Sequence, residues 1–189
     1  MHLLPDIKQI FTIYFYIIAA YGMSEILLHF VFSGFRVRKT TDRSIILIMV
    51  PFYLCIFLAP VENIVFERGL HYGAIITGLI LLVAGIIIRI ISVVTLGKNF
   101  SFVVEAGSEN RLVTKGIYRH LRHPAYLASL LLSVAGCVIF SCVFAWIFFL
   151  VSIYAIMQRI KIEEEFLLKR FPEYAGYMKR SRKLIPFVY

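Results

Sequence analysis

The sequence predicts an all-α integral membrane protein with about five transmembrane helices, of which the last two form a helical hairpin. Of its 189 residues, 60% are hydrophobic, well above the roughly 45–50% that is usual in soluble domains. Charged residues make up only 16%, and the net charge of +9 comes from a few short segments between long apolar runs. This composition excludes a soluble globular domain. The clustering of the basic residues indicates a role in membrane orientation rather than in nucleic-acid binding.

Three apolar runs occupy the chain before residue 97. They are 10–32, 44–61 and 72–96. At about 1.5 Å per helical residue, each has a length comparable to a hydrocarbon core of about 30 Å. The second run contains Pro51 and Pro60, which a membrane helix tolerates as kinks. We therefore expect three transmembrane helices in this part of the chain.

A few polar residues and glycines lie inside these runs. Glu25 is near enough to the predicted cytoplasmic end of the first run to reach lipid head groups or a partner helix. Arg89, in the third run, is interpreted as a side chain that snorkels to the cytoplasmic interface. Gly78 and Gly85, seven residues apart, predict close packing of the third run against another helix.

The uncharged stretch 124–158 is too long for one span, because its 35 residues would extend about 52 Å as a single helix. We therefore predict two shorter helices joined by a turn near Phe140, Ser141 and Cys142. The three cysteines Cys55, Cys137 and Cys142 all lie in apolar runs without a CxxC pair or matching histidines. Neither a disulfide framework nor a metal site is predicted.

Five spans would place three basic segments on one side of the membrane. The second and third spans are expected to be joined on the other side by a loop over 62–71, which carries two glutamates and one arginine. The positive-inside rule then predicts an outside N-terminus and a cytoplasmic C-terminus. The basic residues that follow the first, third and fifth spans are Arg36, Arg38, Lys39 and Arg43, then Lys98, Arg111, Lys115, Arg119 and Arg122, and finally Lys161, Lys169, Arg170, Lys179, Arg180, Arg182 and Lys183.

Polar residues concentrate in the segment 97–123 and in the tail 159–189, both predicted on the cytoplasmic side. Arg122 and His123 precede Pro124, which can start a helix whose first N–H groups face an anion. Arg159 and Glu163 are four residues apart and share one helix face. For the isolated pair, an interfacial salt bridge with snorkelling side chains is the favoured interpretation. The basic residues of 97–123 are accounted for by topology as well as by binding.

Two motifs in these segments carry a resemblance to a known family. The first is Leu-Val-x-x-Gly-x-Tyr-x-x-x-Arg-His-Pro-x-Tyr over 112–126. The second is Arg-x-x-x-Glu-Glu-Glu over 159–165, followed by Phe-Pro-Glu-Tyr at 171–174, Tyr177 and Leu-Ile-Pro at 184–186. Their order and spacing resemble the isoprenylcysteine carboxyl methyltransferase family and its phospholipid methyltransferase relatives. The resemblance covers about half of the chain, from residue 96 onward.

The resemblance implies a membrane enzyme that binds S-adenosylmethionine in a cytoplasmic pocket closed by the C-terminal tail, with a lipophilic acceptor entering from the bilayer. It divides one membrane domain, 1–189, into three N-terminal spans, 1–96, and a methyltransferase core, 97–189. It implies that Arg159 binds the acceptor and that Arg159 and Glu163 are the catalytic residues. The implied cofactor contacts are Asn110, Arg111, Leu112, Val113, Tyr118, His123, Pro124, Ala125, Tyr126 and Glu163.

The residues themselves are compatible with this chemistry. S-adenosylmethionine carries a carboxylate, an ammonium and a sulfonium, for which the helix start at His123, the Glu163 carboxylate and the Tyr118 and Tyr126 rings are suitable partners. A carboxylate acceptor is already a nucleophile and needs only orientation by Arg159. An amine, phenol or thiol acceptor needs a base, for which Glu163 or His123 is the candidate.

The preferred interpretation is methylation of a carboxylate such as that of an isoprenylcysteine. Methylation of a phospholipid or another lipid at nitrogen, oxygen or sulfur stays open, and so does a membrane reductase that uses NADPH, whose sterol reductase members resemble this family in their C-terminal helices. The Arg-x-x-x-Glu-Glu-Glu pattern argues against the reductase. A non-catalytic membrane protein with the same fold would tolerate substitution of Arg159 and Glu163.

Overall fold

The computed structural model describes residues 7–33, 44–99 and 111–185. Within these ranges the chain is helical, as predicted, with short 3₁₀ helices at Gly97–Asn99 and Gly116–Arg119. Four helices, α1, α2, α3 and α5, are long and apolar enough to cross a membrane. The α-helices are α1 Ile7–Ser33, α2 Ser44–Val65, α3 Tyr72–Leu96, α4 Pro124–Ile139, α5 Ala145–Arg170 and α6 Tyr174–Arg180.

The helix bounds agree closely with the apolar runs, and α3 begins and ends where its run does. Pro51 and Pro60 lie inside α2 without ending it. The expectation that residue 62 begins a loop is wrong, because α2 continues to Val65. The polar residues Glu62 and Asn63 extend this helix because their side chains find partners in the α4–α5 turn.

The predicted hairpin is confirmed: α4 and α5 are joined through residues 140–144. Ser141 has a φ of 51°, a left-handed conformation that reverses the chain. α4 has 16 residues, about 24 Å of helix, so it is shorter than a helix that crosses a bilayer alone. Among the helices of the described residues, four rather than five are long enough to be candidate spans.

The C-terminal end of α2 holds this turn in place. The buried Glu62 carboxylate accepts hydrogen bonds of 2.7–3.0 Å from the backbone N–H groups of residues 143–145. These groups begin α5 and lack partners within the helix, and an anion is favoured there by the helix dipole. The Asn63 side-chain nitrogen donates to the Phe140 carbonyl oxygen at 2.7 Å. The turn is therefore fixed to the end of α2.

α3 and α4 pack closely through the two glycines predicted to do so. An added Cβ at Gly78 would clash with the Ile139 side chain and lie 2.9 Å from the Ala135 carbonyl oxygen. At Gly85 a Cβ would lie 3.1–3.2 Å from Leu132. A side chain at Gly78 therefore cannot fit without moving α4, and one at Gly85 requires small shifts of its neighbours.

A buried ion pair connects α1 to α3. Arg89 Nε and Nη2 donate to the two Glu25 carboxylate oxygens at 2.8 and 2.5 Å. Arg89 is only 8% exposed, so the interpretation of a snorkelling side chain is wrong, whereas Glu25 does reach a partner helix. A charge in the apolar layer is costly unless it is paired, and the bidentate geometry supplies the pair.

Replacing Gly78 by alanine should push α3 and α4 apart, because the new methyl group meets backbone as well as the Ile139 side chain. We expect the free energy of unfolding to fall by about 1–3 kcal/mol, as for other overpacked sites. Gly73→Ala is the matched control, since nothing lies within 4 Å of its added Cβ; alanine should be neutral or stabilising there. Denaturant unfolding in detergent micelles measures both, and equal stabilities would contradict the close packing.

Candidate functional site

Polar side chains gather at the end of the helix bundle opposite the α4–α5 turn, where α4 begins. Residues 181–184, here called the C-terminal strap, lie against the segment that precedes α4. The Arg122 N–H donates to the Arg182 carbonyl at 2.7 Å, the Arg182 N–H donates to the His120 carbonyl at 2.8 Å, and the His123 N–H donates to the Lys183 carbonyl at 3.1 Å. The two polar segments recognised in the sequence are therefore joined through their backbones.

A carboxylate of α5 organises the charges around this junction. Glu164 Oε1 accepts a hydrogen bond of 2.7 Å from Arg122 Nε and lies 3.3 Å from His123 Nε2. Its second oxygen lies 3.7 Å from the Lys183 ammonium. Arg122 Nη1 also donates to the Met178 and Ser181 carbonyls at 3.0 and 2.6 Å. Arg122 is therefore part of the junction, whereas Lys115 and Arg119 are exposed.

The preceding residue, Glu163, points to a different set of partners. The Tyr126 hydroxyl donates to Glu163 Oε2 at 3.0 Å, and the same oxygen lies 3.8 Å from His123 Nδ1. The Tyr126 hydroxyl also interacts with the Arg159 side chain, which is 3% exposed. The predicted pair Arg159 and Glu163 therefore meets α4 at Tyr126, whose ring stacks on that of His123 with centroids 5.7 Å apart.

The 3₁₀ helix Gly116–Arg119 is fastened to α6. The Tyr177 hydroxyl donates to the Tyr118 carbonyl oxygen at 2.5 Å. Burial raises the pKa of the Tyr118 phenol far above its ordinary value, and the nearby Glu163 carboxylate adds to this effect. Burial raises the pKa of Tyr177 to about 12. Both phenols therefore remain neutral near pH 7 and act as hydrogen-bonding and packing groups.

Apolar contacts also join the start of the first motif to the C-terminal part of the chain. Leu112 packs against a cluster formed by Phe171, Tyr174 and Tyr177. Within the described part of the chain, the buried Tyr174 hydroxyl has no hydrogen-bond partner. A buried hydroxyl without a protein partner is unusual.

Among the residues expected to contact the cofactor, His123, Tyr126 and Glu163 contact one another. Leu112 packs against the cluster that contains Tyr177, and Tyr118 accepts the hydrogen bond of Tyr177. Asn110 lies outside the described residues, and Arg111 is exposed at the edge of the described segment. Val113 and Ala125 are half-buried and Pro124 is buried. The start of α4 offers an anion fewer backbone N–H donors than expected. Pro124 has no N–H, and the N–H groups of Tyr126 and Leu127 donate to the His123 carbonyl.

Sequence reasoning missed the role of Glu164. Consecutive helical residues are rotated by about 100°, so the run Glu163, Glu164, Glu165 cannot act on one face. The adjacent pair Arg122 and His123 was a usable signal, because a charged arginine and a histidine N–H that are withdrawn from water need an acceptor. Among the described residues, no group of three or more histidine, cysteine or acidic side chains is placed to hold a metal ion.

The fold and this junction define a polytopic α-helical membrane protein with a polar site at one end of its bundle. Comparison with known proteins then identifies the family. The model of the isoprenylcysteine carboxyl methyltransferase family matches residues 78–169. Protein-S-isoprenylcysteine O-methyltransferase A of Arabidopsis thaliana is 30% identical over 177 residues, which are 89% of this chain and 88% of the relative.

A probable protein-S-isoprenylcysteine O-methyltransferase of Oryza sativa subsp. indica is 28% identical over 82% of this chain and 86% of that relative. The fold matches that of a solved eukaryotic intramembrane Ras methyltransferase, isoprenylcysteine carboxyl methyltransferase, with a TM-score of 0.69 at 24% identity over 99% of this chain and 70% of the other. The chain belongs to the isoprenylcysteine carboxyl methyltransferase family.

Replacing Tyr177 by phenylalanine should loosen the segment 116–121, because the short hydrogen bond to the Tyr118 carbonyl is lost. A buried hydrogen bond of this kind contributes about 1 kcal/mol, so amide exchange in 116–121 should accelerate about fivefold if opening is local. Tyr154→Phe, on the exposed face of α5, is the control with the same chemical change. Hydrogen exchange followed by mass spectrometry measures both; unchanged protection in Tyr177→Phe would refute the contact.

Proposed function

We propose that this protein is an integral membrane methyltransferase that uses S-adenosylmethionine to methylate the carboxylate of an isoprenylcysteine. The observation that supports this most directly is the contact of Arg159 and Glu163 on α5 with Tyr126 near the start of α4. The chain that contains this contact belongs to the family. A guanidinium suited to a carboxylate and a carboxylate suited to an ammonium lie one helical turn apart.

The side chains at the junction fit the methyl donor. The Glu163 side chain is 33% exposed, so its carboxylate is accessible to the ammonium of S-adenosylmethionine. The aromatic rings of Tyr118, Tyr126 and His123 border the same region, and aromatic faces favour a sulfonium. When bound, S-adenosylmethionine supplies an electrophilic methyl group. Leu112, which packs against the cluster that contains the Tyr174 and Tyr177 rings, completes the surface that we assign to it.

Arg159 is assigned to the acceptor. It is nearly completely buried, and a buried guanidinium binds a carboxylate strongly because little water competes. An acceptor carboxylate is already ionised near pH 7, so displacement at the methyl carbon needs no general base. The contribution of the protein is to orient the two reactants in line and to exclude water. Tyr126 contacts both Arg159 and Glu163, and so holds the acceptor-binding and donor-binding side chains in a fixed relative position.

The arrangement in the membrane follows from the two ends of the bundle. We place the α4–α5 hairpin across the bilayer with α4 as a fifth, short crossing that is completed by the turn held at Glu62. The basic segments and the site then lie on the cytoplasmic side, with the N-terminus outside. A lipophilic acceptor reaches Arg159 laterally from the bilayer, and the C-terminal strap closes the side that the methyl donor occupies.

Titration of detergent-purified protein with S-adenosylhomocysteine tests the donor site. We expect binding by the wild type and about tenfold weaker binding by Glu163→Gln, since a charge-assisted hydrogen bond to the ligand ammonium is weakened. Lys161→Gln, an exposed position on the same helix, is the control and should bind like the wild type. NADPH is the control ligand: heat with NADPH alone would support a reductase and contradict the proposal.

Methyl transfer to defined acceptors tests the substrate. Protein in lipid vesicles, supplied with S-adenosylmethionine carrying a labelled methyl group, should modify a farnesylated cysteine but not its carboxamide. Mild alkali should release the label as methanol, because only an ester is cleaved in this way. Arg159→Gln should lower kcat/KM for the acceptor at least about tenfold while S-adenosylhomocysteine binding is retained. Alkali-stable label, or transfer to the carboxamide, would instead indicate methylation at nitrogen or sulfur.

A further inference from the structure

Glu164 has no part in the chemistry described above, yet it is the better buried of two consecutive glutamates. Its side chain is 9% exposed, against 33% for Glu163. A carboxylate is buried at a large cost unless other groups replace its hydration. The groups that do so therefore indicate what this carboxylate is for.

Those groups come from both segments of the junction. Arg122 and His123, at 2.7 and 3.3 Å, belong to the start of α4, and Lys183, at 3.7 Å, belongs to the C-terminal strap. Glu164 itself lies on α5. One carboxylate thus connects two helices and the strap, and its removal would leave three cationic or hydrogen-bonding groups without their common acceptor.

Arg122 transmits this interaction to the backbone of the strap. While Nε is held by Glu164, Nη1 donates to the carbonyls of Met178 and Ser181. The planar guanidinium cannot rotate about one contact without breaking the others. Glu164 therefore fixes the Arg122 side chain in the orientation that bonds to the end of α6 and to the first residue of the strap.

The strap has a second, apolar attachment. Leu184 is buried with Ile156 and Ile160 of α5, and Tyr126 packs against the same cluster. Because Tyr126 also contacts Glu163, the strap lies directly beside the residues that we assign to the methyl donor. A strap released at its charged end but still held by Leu184 would open partially rather than detach.

We propose that Glu164 is a positioning residue that latches the C-terminal strap over the donor site through Arg122 and Lys183, and so sets the rate at which S-adenosylhomocysteine leaves. This inference rests on the proposed function. Glu164 touches neither reactant: it acts through Arg122 on the strap and through His123 on the ring that stacks against Tyr126.

The test compares Glu164→Gln with Glu165→Gln in the full-length protein. Glu165 is the next residue of α5 and is exposed, so the two variants have the same change of charge and of side-chain volume. Hydrogen exchange of the Arg122, His123 and Arg182 amides reports on the strap, and amides of α3 report on the rest of the fold. Stopped-flow displacement of S-adenosylhomocysteine by excess S-adenosylmethionine reports on its dissociation rate.

We expect the strap amides to exchange at least about tenfold faster in Glu164→Gln, and S-adenosylhomocysteine to dissociate faster by a similar factor, because a charge-assisted contact is lost. Amides of α3 should be unaffected. Glu165→Gln should stay within about twofold of the wild type in both measurements. Glu164→Asp, which keeps the charge, should restore part of the protection.

A double variant checks that Glu164 acts through Arg122. If it does, Glu164→Gln should speed the dissociation of S-adenosylhomocysteine by a smaller factor in an Arg122→Gln background than in the wild type, because only the His123 and Lys183 contacts then remain to be lost. Effects that multiply would overturn the latch. So would unchanged strap protection in Glu164→Gln, or faster exchange with an unchanged dissociation rate. Wild-type protein that binds no S-adenosylhomocysteine would overturn the proposed function itself, which separates that failure from failure of the latch.

Discussion

A carboxylate withdrawn from water needs partners that replace its hydration, and this requirement determines where the parts of this protein meet. Glu25 accepts hydrogen bonds from Nε and Nη2 of Arg89 and so joins α1 to α3. Glu62 takes three backbone N–H groups and joins α2 to the α4–α5 turn. Glu164 joins the start of α4 to α5 and the strap. In lipid, where apolar surfaces alone do not select one helix arrangement over another, such pairings supply the selectivity.

The close approach of α3 and α4 complements these polar contacts. Gly78 and Gly85 let the two backbones come together, which places the end of α3 beneath the 3₁₀ helix that contains Tyr118. Tyr177 then fastens that segment from the other side. The site is thus supported from the membrane by helix packing and from the tail by a hydrogen bond, and both supports lie outside the residues assigned to chemistry.

Much of this was accessible from the sequence, because apolar length and charge distribution determine membrane helices directly. The bounds of α3, the hairpin turn near Ser141 and the packing role of Gly78 were all predicted. The partner of Arg89 was not, since one sequence gives the position of a charge along a helix but not which neighbouring helix faces it. Glu62 was misplaced in a loop for the same reason: its partners are backbone groups 81–83 residues away, which no local pattern indicates.

The run of three glutamates on α5 shows how one short motif divides its work. Successive residues are turned by about 100°, so Glu163 faces Tyr126, Glu164 faces Arg122 and Glu165 faces the exterior. The motif pairs Glu163 with Arg159, one turn earlier, and this spacing together with the family resemblance predicted a site. Glu164 gains these partners only when the chain returns through α6, which brings Lys183 to Glu164 and the Ser181 carbonyl to Arg122. A short motif can therefore predict a candidate ligand-binding residue, whereas the contacts of Glu164 with Arg122 and Lys183 exist only in the folded chain.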